Sequence, residues 1–187
     1  MSTGSGPGHA VLAIGVPALD APVRERTAHY DPSFVSTDPD FSHAHITLLS
    51  PWLTTPSADD LAIVAELAAS TGPFTVLLDR VDEFVGGVIH LPPTPAAPFA
   101  ALTAALVEAF PQCPPYGGDF PTPVPHLTLD HPAGGVTLSQ VAERMAPHLP
   151  LRFTAERIDL QWWANHDCRL LASWPLTGPV GSTGSNA

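Results

Sequence analysis

Two short segments of the sequence place a threonine two positions after a histidine. The first is His45-Ile-Thr47-Leu, and the second, 81 residues further along, is His126-Leu-Thr128-Leu. Side chains two positions apart in a β-strand lie on the same face, so each histidine would lie beside its own threonine. A single histidine–threonine pair is common in ordinary strands, but two matched copies indicate a functional constellation.

Two imidazoles and two hydroxyls that line one cleft are suited to the cleavage of a phosphodiester. An imidazole has an ordinary pKa of about 6.5, so it can accept or donate a proton near neutral pH. One histidine would activate water or a ribose hydroxyl, and the other, in its protonated form, would donate to the leaving oxygen. The threonine hydroxyls would donate hydrogen bonds to the phosphate oxygens. This chemistry requires no metal, and we expect neither a metal nor a cofactor.

The elements that must position these residues alternate between strands and helices. Hydrophobic periodicity, caps and Gly/Pro breaks define them. Pro51 should end the strand that carries the first motif, and the strands at 74–78 and 87–91 should form a hairpin-like unit. The predicted strands cover residues 10–16, 43–49, 74–78, 87–91, 126–129, 151–162 and 169–176, and the predicted helices cover residues 21–30, 57–71, 95–110 and 138–149.

The order of elements after each motif is the same, and the spacing also agrees. Phe74 follows His45 by 29 residues, and Phe153 follows His126 by 27. We interpret this as an internal duplication, although such alternation also arises by chance in α+β chains. The predicted fold is therefore α+β, a bilobal pseudo-two-fold duplication with antiparallel sheets flanking a central cleft and helices outside.

Composition restricts the class of partner. The chain has 187 residues, 44% of them hydrophobic, and a net charge of −11. Because proteins that bind long nucleic acids need basic surfaces, we expect a small nucleotide or phosphate-ester substrate and disfavour extended nucleic acid. The sequence predicts one bilobal domain over residues 10–176 between flexible tails at 1–9 and 177–187. Without a signal-like or membrane-spanning segment, we expect a cytoplasmic monomer with no membrane association.

The paired motifs resemble the signature of the 2H phosphoesterases, especially the bacterial branch named after 2′-5′ RNA ligase. The resemblance covers residues 10–176 and includes the Pro/Gly loop at 114–118. It implies a bilobal fold and metal-independent hydrolysis of 2′,3′-cyclic phosphates or short 2′-5′-linked nucleotides. Relatives that act on RNA ends often have a basic residue shortly after the second motif, whereas this chain has Asp130-His131.

The resemblance also implies a role for each motif residue. His126 would be the base that activates water, and His45 would be the acid that protonates the leaving 3′-oxygen. Thr47 and Thr128 would hold the phosphate. Base and acid exchange roles in the reverse, ligating direction.

Several other residues are candidates for contact with substrate. Aromatic rings can stack on a nucleobase, and arginines can bind phosphate, although core packing or surface exposure is the alternative for each. The candidates for substrate binding are His43, Tyr116, Trp163, Arg80, Arg157 and Arg169.

Other interpretations of the same residues remain open. His43 and His45 have a spacing that can ligate a metal, with His126 or His90 as a third ligand, but no carboxylate accompanies them in a known motif. A second hypothesis is a nucleotide-binding module without turnover, which would not need two titrating imidazoles. A third is a specialised phosphoester-processing enzyme of secondary metabolism or phage–host conflict.

Overall fold

The computed structural model describes residues 8–120, 122–131 and 135–179, and over these residues strands alternate with helices. All strand pairings in this part of the chain are antiparallel, so the predicted α+β class is confirmed. The strands are β1 (His9–Gly15), β2 (His45–Trp52), β3 (Phe74–Leu78), β4 (Asp82–Glu83), β5 (Ile89–Leu91), β6 (Leu127–Asp130), β7 (Leu151–Ala155), β8 (Arg157–Trp163) and β9 (Arg169–Pro175). The helices are α1 (Asp20–Tyr30), α2 (Ala58–Ser70), α3 (Ala97–Ala109) and α4 (Leu138–Met145).

Capping boxes explain where two of the helices begin. At α2, the hydroxyl of Ser57 accepts a hydrogen bond from the backbone N–H of Asp60 at 3.2 Å, and the Asp60 carboxylate accepts one from the backbone N–H of Ser57 at 2.8 Å. Thr137 and Gln140 form the same reciprocal pair at α4. These bonds satisfy backbone donors that have no partner within the helix. Helix α4 is shorter than predicted, because its last turn changes to a 3₁₀ turn over Ala146–His148.

The larger sheet brings the two motif strands together at its centre. Its order is β4-β5-β6-β2-β1-β8-β9, and β3 pairs with β7 in a separate two-stranded sheet. Strands β4, β5 and β6 lie on one side of the β6–β2 junction, and strands β2, β1, β8 and β9 lie on the other. Each motif strand is followed in the chain by a helix and then by a strand of the smaller sheet. The predicted strand–helix–strand order is therefore present in both halves, while duplication of the sequence stays a prediction.

Two predictions about strand pairing and strand ends are wrong. Strands β3 and β5 do not form a hairpin, because a tight turn at Phe84–Gly87 pairs β5 with β4 instead. Strand β2 continues through Pro51 to Trp52. The β1–β2 pairing is irregular at this point, so the missing N–H of Pro51 leaves no ladder bond unmade.

The ordered body extends beyond both predicted boundaries. His9 already belongs to β1, so the first tail is shorter than predicted. At the other end, the backbone N–H groups of Thr177 and Gly178 donate hydrogen bonds to carbonyls at the C-terminus of α2. The remaining parts of the predicted tails, residues 1–7 and 180–187, lie outside the described residues.

The hydrophobic core lies between the sheets and the helices. Helix α3 packs against β2 and α2, while α2 also contacts β9. Phe99 and Leu106 of α3 are completely buried, and so is Phe110 just beyond it. Over the residues that the structure describes, no helix has both the length and the apolar character needed to span a membrane.

Candidate active site

The residue between the histidine and the threonine anchors each motif. Ile46 of β2 lies opposite Leu127 of β6, and both side chains are completely buried in the core. Neighbouring residues in a strand point to opposite faces. The histidines and threonines on either side of this pair therefore point away from the core, toward a common cleft.

The antiparallel register between β2 and β6 fixes how the four cleft residues are arranged. One position either side of the buried pair, His45 lies opposite Thr128 and Thr47 lies opposite His126. Opposed residues have Cβ atoms about 5 Å apart, and diagonal neighbours are about 7–8 Å apart. The two imidazoles occupy one diagonal and the two hydroxyls the other, which leaves space for a tetrahedral group between the rings.

Both motif histidines are held in the same orientation by the backbone. The Nδ1 atom of His45 lies 2.9 Å from the carbonyl of His43, and that of His126 lies 2.7 Å from the carbonyl of Val124. A carbonyl only accepts, so we assign the Nδ1 proton to each ring as the hydrogen-bond donor. Each Nε2 atom is then a proton acceptor when the ring is neutral and a donor when it is protonated.

Burial lowers the pKa values of both motif histidines. The pKa of His45 falls to about 4, mainly because desolvation disfavours the imidazolium, and the nearby His126 adds to the shift. Desolvation also lowers the pKa of His126, although its bond to the Val124 carbonyl opposes the shift. Both rings are therefore neutral at pH 7 in the free protein. An anion bound between them would favour their protonated forms.

The cleft over the four residues has a volume of about 240 Å³. This is somewhat below the roughly 300–1,000 Å³ of pockets that bind drug-sized ligands, so it fits a small ligand. The lining combines the two strands with helix α1 and one aromatic ring of β8. The residues that line it are Val23, Arg26, Thr27, Tyr30, His43, His45, Thr47, His126, Thr128, Leu129, Asp130, His131 and Trp163.

His43 borders the cleft, but its ring nitrogens face the protein. Its side chain is only 2% exposed, and Nδ1 lies 3.4 Å from the Asp20 carboxylate. Its Nε2 accepts a hydrogen bond from the backbone N–H of Ser36 at 3.1 Å. His43 lines the cleft with its ring nitrogens turned away from it, so its contact with substrate stays a prediction. Its carbonyl orients His45, and its buried ring holds that carbonyl in place.

The two predicted aromatic contacts have different positions. Trp163 borders the cleft with its ring centroid 5.4 Å from that of His45, and its stacking on a base stays a prediction. Tyr116 lies instead in a small adjoining pocket that Thr47 also lines, and burial raises the pKa of its phenol, an effect that the nearby Thr47 side chain opposes. Tyr116 is not part of the cleft lining over the described residues, and its contact with a substrate stays a prediction.

The three arginines predicted as phosphate ligands lie away from the cleft. None of them belongs to its lining within the described chain. Each has an aspartate two positions away in sequence, and this spacing brings guanidinium and carboxylate together locally. The sequence contained this signal, and the expectation that they bind phosphate in the cleft is wrong. The ion pairs are Arg80 with Asp79 and Asp82, Arg157 with Asp159, and Arg169 with Asp167.

The charged group that does border the cleft was not among the predicted residues. Arg26 and Tyr30 of α1 reach Asp130 at the end of β6. Two signals were present in the sequence. Arg26 and Tyr30 are four residues apart on one helix face, and Asp130 follows Thr128 by two residues on one strand face.

An aromatic stack that was also missed supports His126. The ring of Phe84 lies against His90 in a stacked arrangement, with centroids 3.8 Å apart. Both rings meet His126 edge-on, at 4.9 Å from Phe84 and 5.5 Å from His90. No sequence spacing relates these three residues, because the β4–β5 turn and the β5–β6 pairing bring them together.

Groups of three or more metal-ligating side chains are absent from the described residues. Of the ligands considered for a metal, His43 has its Nε2 occupied by the Ser36 N–H. Each motif histidine has its Nδ1 atom bound to a backbone carbonyl, so Nε2 is the ring nitrogen that remains for a ligand.

Comparison with known proteins agrees with this architecture. The chain matches the family model of the 2′-5′ RNA ligase superfamily over residues 16–167. Its fold is similar to that of Escherichia coli LigT, with a TM-score of 0.56 and 22% identity over 91% of this chain and 99% of LigT. It is also similar to TT0787 of Thermus thermophilus, with a TM-score of 0.56 and 20% identity over 92% of this chain and 100% of that protein.

A third solved structure, a protein described as a phosphoesterase, has a TM-score of 0.55 and 21% identity over 91% of this chain and 99% of its own. A search of curated proteins found no match. The family match spans most of the chain, including both histidine motifs. The chain therefore belongs to the 2′-5′ RNA ligase superfamily.

Proposed function

We propose that the protein is a metal-independent phosphodiesterase that hydrolyses 2′,3′-cyclic phosphates or short 2′-5′-linked nucleotides. The observation that carries this proposal is the diagonal placement of His45 and His126 across the β2–β6 junction, with both Nδ1 atoms bound to carbonyls. Two Nε2 atoms then face one space from opposite sides. In-line displacement at phosphorus needs a base and an acid in this relation.

Hydrolysis of a 2′,3′-cyclic phosphate requires one proton transfer at each imidazole. His126 accepts a proton from water through Nε2 as the water oxygen forms a bond to phosphorus. The bond between phosphorus and the 3′-oxygen breaks, and protonated His45 donates its Nε2 proton to that oxygen. The product is a 2′-phosphate, and proton exchange with solvent restores both rings. Thr47 and Thr128 donate hydrogen bonds to the non-bridging oxygens.

The low pKa of His45 makes its protonation depend on the substrate. In the free protein this pKa is about 4, so the ring carries no proton at neutral pH. A phosphate anion between the rings favours the imidazolium. The substrate thereby brings His45 into its acid form, and the empty site avoids two buried positive charges.

The small size of the cleft and the charge of the chain support a short substrate. The cleft volume is about 240 Å³, and the net charge of −11 opposes binding of long polyanions. Solved structures of Escherichia coli LigT contain 3′-AMP, ATP, NADP⁺ or phosphate. These ligands are of the class that we propose for this chain.

The test is hydrolysis of 2′,3′-cyclic AMP in the presence of EDTA. We expect turnover by the wild type and a loss of at least about a hundredfold in His45→Ala and in His126→Ala. His148→Ala, at an exposed position outside the cleft lining, is the matched control and should retain activity. Equal turnover in all four proteins, or loss of wild-type activity with EDTA, would refute the mechanism.

A further inference from the structure

A buried carboxylate at the cleft organises two arginines and a tyrosine. The side chain of Asp130 is completely buried, and Arg26 of α1 and Arg144 of α4 approach the same carboxylate oxygen at 2.8 Å each. Arg26 also donates from Nη2 to the second oxygen at 3.1 Å, and Tyr30 donates its hydroxyl proton to that oxygen. Burial alone would raise the pKa of Asp130, but these donors hold it at about 2. The carboxylate is therefore charged.

The group presents positive charge to the cleft. Two guanidinium groups and one carboxylate leave a net charge of +1, and the carboxylate is hidden behind its donors. Arg26 and Tyr30 line the cleft, whereas Arg144 does not. Arg26 donates from Nη2 to Asp130 and to the Tyr30 hydroxyl, and its Nε lies 2.8 Å from the carboxylate as an ion-pair contact. Its Nη1 has no protein partner among the residues that the structure describes. Two N–H groups of a fixed cation therefore remain for a ligand.

The position of this cation relative to the catalytic residues is set by one strand. Asp130 follows Thr128 by two residues in β6, so their side chains point to the same face at a separation of about 7 Å. The reacting phosphate lies beside Thr128 in the proposed function. A guanidinium bound to Asp130 then lies about one nucleotide-backbone step from the reacting phosphate. This distance is comparable to the spacing between the phosphates at the two ends of one ribose.

We propose that Arg26, supported by Tyr30, is a binding subsite for a second phosphoryl group, so that the preferred substrates are phosphodiesters carrying another phosphate, such as a 5′-phosphorylated 2′,3′-cyclic nucleotide. This inference rests on the proposed function. Arg26 is the only arginine or lysine that lines the cleft in the described part of the chain. Guanidinium groups that are already oriented by a carboxylate bind phosphate with little loss of conformational freedom.

The experiment compares 2′,3′-cyclic AMP with its 5′-phosphorylated form in three proteins: wild type, Arg26→Gln and Arg144→Gln. Arg144 contacts the same carboxylate at the same 2.8 Å but lies outside the cleft lining, so its variant is the matched control. We expect the wild type to favour the 5′-phosphorylated substrate in kcat/KM by at least about tenfold. Arg26→Gln should abolish this preference and Arg144→Gln should keep it.

Two other outcomes would overturn the inference. The first is an equal decrease for both substrates in Arg26→Gln, which would mean that Arg26 supports the fold or the reacting phosphate. The second is the same loss of preference in Arg144→Gln, which would mean that the net charge of the cluster around Asp130, and not contact with Arg26, sets the preference. Arg26→Lys, which keeps the charge but not the forked geometry, should retain part of the preference and serves if Arg26→Gln does not fold.

A binding measurement separates this inference from the proposed function. Calorimetry with adenosine 3′,5′-bisphosphate and with 3′-AMP needs no turnover. We expect the bisphosphate to bind the wild type at least about tenfold more tightly and Arg26→Gln with no such advantage. If the wild type hydrolyses neither cyclic substrate but shows this difference, the proposed function fails and the subsite stands. Equal affinities in the wild type would refute the subsite.

Discussion

Acidification should weaken the folded wild type more than a variant that lacks the imidazole of His45. The ring is neutral in the folded protein down to a pKa of about 4. In the unfolded chain it takes up a proton below its ordinary value of about 6.5. The unfolded state therefore gains protons that the folded state does not, and stability falls as the pH decreases from 6.5 to 4. Below pH 4 this contribution stops changing.

The size of the effect follows from the difference between the two pKa values. Each pH unit in which only the unfolded state is protonated costs about 1.4 kcal/mol. Between pH 7 and pH 4.5, the loss from His45 is roughly 2–3 kcal/mol. Solvent that reaches this partly exposed ring reduces the figure. The loss is large compared with the total stability of about 5–15 kcal/mol that small domains have.

The assay is urea unfolding of wild type and His45→Asn at pH 7 and pH 4.5. Asparagine retains an N–H that can donate to the His43 carbonyl, as Nδ1 of His45 does, but it does not titrate. The wild type should lose more stability on acidification than His45→Asn, while His148→Asn, a change at an exposed position, should behave as wild type. An equal loss in wild type and His45→Asn would refute the assignment of a neutral His45 imidazole in the folded protein.

Three further outcomes follow from the site. Sulfate should bind more weakly as the pH rises from 5 to 7, because the neutral cleft imidazoles must take up protons with the anion. Calorimetry in two buffers of different ionisation enthalpy would detect this proton uptake. A sulfate affinity that does not depend on pH would contradict it. Tyr116→Phe should lower kcat by roughly threefold to tenfold, because the phenol hydroxyl near Thr47 in the adjoining pocket is lost, with little change in circular dichroism. Unchanged kcat would remove Tyr116 from the site. Asp130→Asn should lower the free energy of unfolding by roughly 3 kcal/mol in urea titrations, because two guanidinium groups lose their buried counter-charge. A loss below about 1 kcal/mol would show that these ion pairs contribute little to stability.

The sequence was sufficient for the centre of the site because local rules decide it. Period-two alternation put His45 and Thr47 on one face and buried the residue between them, as the structure has it. The matched second motif indicated that the two strands act together. What alternation cannot specify is that the strands are direct neighbours, since pairing between residues about 80 positions apart is a property of the whole sheet.

The surroundings of the site were less predictable because they depend on contacts between distant elements. The guanidinium that reaches the cleft belongs to Arg26 on α1, and it is held there by a hydrogen bond to a carboxylate 104 positions away in the sequence. The ring of Phe84 packs edge-on against His126, and it comes from a turn in another hairpin. The arginines chosen from strand positions, such as Arg157, are instead neutralised by carboxylates two residues away. A pattern in one segment does not show which charges its neighbours supply.

The most direct test of the central claim is a crystal structure of the protein with inorganic phosphate. We expect one phosphate between the two imidazoles, with the Nε2 atoms of His45 and His126 about 2.7–3.0 Å from its oxygens and with the hydroxyls of Thr47 and Thr128 bound to the same group. A phosphate that contacts only one of these histidines, or a metal ion bridging the two Nε2 atoms, would contradict it.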